Sequence, residues 1–89
     1  MMVERQVTVV NSHGIHARPA AEIVKMAARF GASITLLKDD LDVNGKSIMG
    51  VMMLAAECGS TITLRADGED AALAIDALAG LIAGKFGES

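Results

Sequence analysis

The residues best suited to chemistry lie in one short stretch, Gly14-Ile15-His16-Ala17-Arg18-Pro19-Ala20. Pro19 fits the first turn of a helix, where its missing N–H is no loss. The spacing therefore predicts a helix that opens immediately after His16, with His16 at or beside its N-cap. The first N–H groups of a helix lack internal partners and lie at the positive end of its dipole, which makes a ready anion site. Arg18 adds a planar cation whose geometry favours phosphate oxygens. A nucleophilic imidazole, free backbone donors and a guanidinium thus converge on one exposed spot. Spacing alone leaves a plainer reading open, in which His16 only caps the helix and Arg18 is a solvated charge, although histidine is not a favoured N-cap.

Ser47 is the second residue of interest. It follows the Asn44-Gly45 break and precedes an apolar helical run, so it suits an N-cap. A phosphate there would be stabilised by the helix dipole while adding a charge of about −1.5 to −2. Within that run Val51 and Leu54 are expected in the core, with Ile48 and Met52 less so. His13 stands three residues before His16, but a glycine-containing turn does not set the two on one helix face. No cysteine or carboxylate cluster completes a metal site, and neither a metal nor a cofactor is expected. His13 reads as a loop residue. Cys58 has no partner for an internal disulfide and reads as an unpaired thiol.

The elements that must position these groups follow from periodicity. Residues 3–9 alternate, with Val3, Arg5, Val7 and Val9 on one face, which predicts a half-buried strand. Asn11 to Gly14 supplies a turn. From Ala17 the period becomes helical, with Ala20, Ile23, Val24, Ala27 and Ala28 on one side and Gly31 as a stop. Ser33 to Lys38 is a second strand, Asp39-Asp40 a turn, and Leu41 to Val43 a short third strand. A short helix from about Ser47 to Leu54 follows, then a loop at Glu57 to Ser60 and a strand from Thr61 to Ala66. The last helix begins near Glu69-Asp70, whose carboxylates suit its positive end, with Leu73, Ala77, Leu78, Leu81 and Ile82 as its apolar stripe. The order is βαββαβα. It predicts an α+β open-faced β-sandwich, with one antiparallel sheet carrying all helices on one face.

Composition narrows the function. Eighty-nine residues make one domain, spanning 1–89, with little room for a cavity besides a core. Only Phe30 and Phe86 are aromatic, so the core must be aliphatic. The net charge is −3, without basic runs, which argues against nucleic acid as a partner. The N-terminus lacks the pattern of a secretory signal, and no apolar run approaches the roughly 20 residues of a membrane span. A cytoplasmic, non-inserting protein is expected.

The segment GIHARPA resembles the phosphorylation site of the HPr phosphocarriers of the bacterial phosphotransferase system. Lys46-Ser47-Ile48-Met49-Gly50-Val51-Met52 is similar to the regulatory-serine segment of HPr forms modified by a dedicated kinase. The run from Thr61 to Ala71 matches the family's closing pattern, and the resemblance covers nearly the whole chain. It implies a βαββαβα fold with a four-stranded antiparallel sheet covered on one face by three helices. It further implies a carrier rather than an enzyme, with enzyme I transferring a phosphoryl group to Nδ1 of His16. Arg18 would help to hold and release that group, and an enzyme IIA domain would accept it. The metal belongs to enzyme I. Ser47 would be the substrate of an HPr kinase/phosphorylase, while Ile48, Met49 and Met52 would belong to the partner-docking face. A monomer is the family default. The stretch VNGKSIMGVMMLAA and the ending LIAGKFGE look at least as much like the nitrogen-related branch as the sugar branch. A regulatory binding module acting only through Ser47 is a third reading, which the presence of His16 disfavours.

Overall fold

The computed structural model describes residues 1–88. The elements run β1 (Met2–Thr8), α1 (Ala17–Ala27), β2 (Ser33–Lys38), β3 (Leu41–Asn44), α2 (Ile48–Met53), β4 (Thr61–Asp67) and α3 (Ala71–Ala83), closed by a short 3₁₀ turn at Lys85–Gly87. This is the βαββαβα order that the sequence pattern predicts. The four strands form one sheet in the order β1-β4-β2-β3. Every pairing is antiparallel, with Val3 opposite Ala66, Leu36 opposite Leu64 and Leu36 opposite Val43.

Alternation decides which face is dry. Ile62, Leu64 and Ala66 of β4 and Ile34 and Leu36 of β2 are buried, while the residues between them point to the open face. The three helices cover that dry face. α3 lies on β1 and β4, α1 lies against α2 and α3, and α2 lies against β3. Ile23, Ile75, Leu78 and Ile82 are fully buried between the layers. Each such side chain contributes roughly 1.5–3 kcal/mol by leaving water. Arg5 shares the inward face of β1 with Val3 and Val7, yet it sits near the sheet edge and reaches Asp76 on α3 at 2.7 Å.

One expectation needs correction at α3. Leu73 is not in the apolar stripe: it is 65% exposed, and the buried face runs Ala71, Ala74, Ile75, Leu78 and Ile82. The helix is apolar almost all round, so composition gave little contrast for choosing its inner side. Asp70 is the N-cap residue but makes no capping hydrogen bond. Its two oxygens instead accept from Gly31 N–H at 2.8 Å and Ala32 N–H at 2.9 Å, tying the start of α3 to the turn after α1. The bond from Gly31 is the main influence holding the Asp70 carboxyl below its ordinary range; partial desolvation opposes it, and Ala32, its own N–H and the Lys46 charge assist. Among the described residues no helix is long and apolar enough to cross a membrane.

Candidate functional site

His16 is presented by a loop that is fixed on both sides. Val9 extends the edge pairing beyond β1, through Val9 N–H to Ser60 O at 2.9 Å and Gly59 N–H to Val9 O at 2.8 Å. Asn11 then turns inward and is fully buried. Its carbonyl accepts from Gly14 N–H at 3.1 Å, and its Nδ2 donates to the Gly14 carbonyl at 2.7 Å, so the turn is clamped across its mouth. Gly14 has φ +65°, and a Cβ there would lie 2.5 Å from the Ala56 carbonyl oxygen. Only glycine fits that approach. Ile15, nearly buried, donates its N–H to the same Ala56 oxygen at 2.8 Å.

The next residue is the N-cap of α1. His16 has extended backbone angles (φ −92°, ψ −166°), and its carbonyl accepts the first helical bond, from Ala20 N–H at 3.0 Å. Pro19 and Ala20 are buried behind it. The imidazole makes no capping hydrogen bond. Its side chain is 45% exposed, at the positive end of a helix of eleven residues. The ring is therefore not used to cap the helix, although His16 is its N-cap residue.

What it meets is the C-terminal tail. Lys85, Phe86 and Gly87 have φ of 60°, 56° and 75°, which folds the chain back on itself. Phe86 is buried, and Glu88 is delivered to the start of α1. Glu88 Oε2 lies 3.0 Å from His16 Nε2 and accepts from Arg18 Nε at 3.2 Å, while Oε1 accepts from Asn11 Nδ2 at 3.0 Å. Arg18 Nη2 donates to the Phe86 carbonyl at 2.9 Å. Partial desolvation works to raise the Glu88 pKa. The hydrogen bonds from Asn11 and His16 and the neighbouring charges of His16 and Arg18 outweigh it, and hold the carboxyl below its ordinary value. Among the described residues, Nδ1 of His16 has no hydrogen-bond partner.

His16 and Arg18 are thus brought together, with one carboxylate between them. Asn11 and Glu88 were missed in the sequence. Asn11 looked like turn chemistry, and the ending Lys85 to Glu88 carried no period; a bulky apolar Phe86 near the terminus was the one signal that the tail docks. His13 is exposed, with its ring 6.1 Å from that of His16 in an edge-on arrangement. No group of three or more metal-ligating side chains occurs among the described residues. Two surface depressions, one bounded by β2, β3 and Lys46 and one by Glu22, Met26, Arg29 and Leu81, include neither His16 nor Arg18. The site is an open surface that another macromolecule can reach.

Ser47 is the N-cap of α2, and its Oγ accepts from Gly50 N–H at 3.1 Å. Val51 and Leu54 are buried, while Ile48, Met49 and Met52 are exposed, as is Met53. Cys58 is exposed and free.

A family model described as the PTS HPr component phosphorylation site matches residues 3–84. The chain belongs to the HPr family of phosphocarrier proteins. It is 47% identical over 87 residues to the phosphocarrier protein HPr of Cupriavidus necator, covering 98% of each chain. It is 40% identical over 87 residues to the phosphocarrier protein NPr of Shewanella violacea, covering 98% of this chain and 96% of that one. The crystal structure of HPr-C-His from Thermoanaerobacter tengcongensis superposes with a TM-score of 0.94 at 45% identity, covering 98% of both chains. Members of the HPr family carry a phosphoryl group and are not themselves enzymes.

Proposed function

We propose that this HPr-family chain accepts a phosphoryl group on Nδ1 of His16 from enzyme I and donates it to an enzyme IIA domain. The observation that carries this is the state of the His16 ring: exposed at the N-terminus of α1, held at Nε2, and without a hydrogen-bond partner at Nδ1 among the described residues. The first-turn N–H groups and Arg18 supply the positive surroundings that a phosphoryl group needs. Arg18 shares an anion with His16, the Glu88 carboxylate at Nε2, which keeps its guanidinium beside the ring and supports its reading as the cation that steadies a phosphoryl group there. The chain works in the cytoplasm as a monomer and needs no metal or cofactor of its own.

Ser47 is assigned as a regulatory phosphorylation site for an HPr kinase/phosphorylase, and Ile48, Met49 and Met52 as part of the surface that docks partners. Their exposure beside the Ser47 cap supports that assignment. The similarity to both an HPr and an NPr supports service in either the sugar or the nitrogen-related branch, which phosphotransfer to the two kinds of acceptor separates. The test of the central reading is labelling by phosphoenolpyruvate and enzyme I. The expected product is an acid-labile, base-stable phosphoryl group on His16, absent from His16→Ala. Normal labelling of His16→Ala would overturn it.

A further inference from the structure

A neutral imidazole carries its proton on one nitrogen and offers a lone pair only from the other. Which nitrogen is bare follows from what the ring faces. Here it faces Glu88, with Oε2 at 3.0 Å and Oε1 at 3.3 Å from Nε2. An ionised carboxylate can only accept, so Nε2 must be the donor. We infer that Glu88, held by the buried Asn11, is a positioning residue that fixes the His16 ring with its proton on Nε2 and its lone pair on Nδ1. This deepens the reading of His16 as phosphoryl acceptor and rests on it.

Three features show that the carboxylate is placed rather than merely near. First, Asn11 is fully buried, and its Nδ2 serves both the loop that delivers His16 and the Glu88 carboxylate. Its Oδ1 has no partner among the described residues, so this side chain is kept in the interior with one acceptor unsatisfied by them. Second, the tail holds two non-glycine residues, Lys85 and Phe86, in the left-handed region, a conformation that surrounding contacts must sustain. The buried Phe86 ring and the Arg18 bond to its carbonyl provide those contacts. Third, Arg18 also donates to Oε2, so the carboxylate is held from two sides while it engages the ring.

The consequence for transfer is direct. The Nδ1 lone pair attacks the phosphorus of a phosphorylated protein donor. The donor's bond to phosphorus breaks with its electron pair leaving on the donor atom, and an N–P bond forms. The ring gains positive charge, its proton stays on Nε2, and the Glu88 carboxylate offsets the charge. No proton has to leave Nδ1 before attack. Transfer onward reverses the same steps.

The test is nitrogen-15 NMR of the His16 ring, together with the rate of phosphorylation by enzyme I, in wild type, Glu88→Ala, Glu88→Gln and Asn11→Ala. The neutral wild-type ring should be almost wholly the Nε2–H tautomer. Glu88→Ala should become a mixture and take the phosphoryl group roughly tenfold more slowly, at the low end of effects from residues that orient a histidine. Gln, whose amide oxygen still accepts, should restore part of both. Asn11→Ala should shift the ring in the same direction; its melting temperature is to be recorded, and Glu88→Ala decides the matter if Asn11→Ala fails to fold. An unchanged tautomer and rate in Glu88→Ala would overturn the inference, and so would faster transfer, which would make Glu88 a plug on the site. If wild type takes no label on His16, the acceptor reading fails, while the ring spectra still decide whether Glu88 positions the ring.

Discussion

Ser47 offers a perturbation in which stability and function should separate. Its Oγ accepts from Gly50 N–H at 3.1 Å, and its carbonyl accepts from Val51 N–H at 2.9 Å. α2 is only six residues long and fully buries one of them, Val51. A helix that short has no reserve of internal bonds, so the cap is a large part of what holds it. Ser47→Ala removes the side-chain acceptor and should cost about 1 kcal/mol. For a chain of this size that is a fall in Tm of about 4–8 °C. Ser47→Asp keeps an acceptor at the same place and adds a charge that the helix dipole favours by about 0.3–1 kcal/mol. Its Tm should therefore match or exceed that of wild type. Function should order the variants differently. Ile48 is 46% exposed, Met49 77% and Met52 44%, so an apolar partner surface closing over them would strip water from the new charge. An unpaired charge so treated costs about 1–3 kcal/mol or more. At 1.4 kcal/mol per tenfold, transfer from enzyme I should slow by roughly five- to a hundredfold in Ser47→Asp, and further in kinase-phosphorylated protein. The assay is thermal denaturation beside the rate of His16 phosphorylation at subsaturating protein. A Ser47→Asp protein that melts as low as Ser47→Ala would refute the cap argument. One that accepts phosphate at the wild-type rate would refute the docking argument.

Two further outcomes follow from backbone geometry and from an ion. Gly14→Ala must place a Cβ at φ +65° and 2.5 Å from the Ala56 oxygen. The left-handed conformation costs about 1–2 kcal/mol, and the overlap should bring the total to roughly 2–4 kcal/mol in urea denaturation. Transfer should fall even under conditions where the variant is fully folded, and a change under about 0.5 kcal/mol would show that the loop yields freely. Asp70 has a lowered pKa in the folded state, so its stabilisation is present above the unfolded value near about 3.9 and is lost as the pH falls through the lower folded value. Asp70→Asn should therefore reduce Tm at pH 7 and lose less than wild type does on acidification to about pH 3. Parallel Tm–pH curves would remove Asp70 from the acid response.

Local sequence determined the frame and where the candidate residues sit in it. Alternation in Thr61 to Ala66 and the helical period after Ala17 gave strands and helices their faces, because period 2 and period 3.6 are properties of the backbone itself. Pro19 and the preceding glycine turn set His16 at the N-cap, and the Asn44-Gly45 break set Ser47 at another. α3 lay beyond that logic: a helix of Ala, Leu and Ile presents no contrast, and the packing of α3 on β1 and β4 chose Ile75 over Leu73 for the core. Asp70 shows the same limit, since its backbone partners are 38 and 39 residues away. The environment of His16 was decided only by tertiary structure. Glu88 is 72 residues from His16 and Asn11 is 77 from Glu88. They meet because Phe86 finds a buried seat and the left-handed turn around it swings the tail over the start of α1. Spacing along the chain can supply a histidine with a helix dipole; only the closing of the chain on itself could give that histidine a carboxylate and settle which nitrogen stands bare.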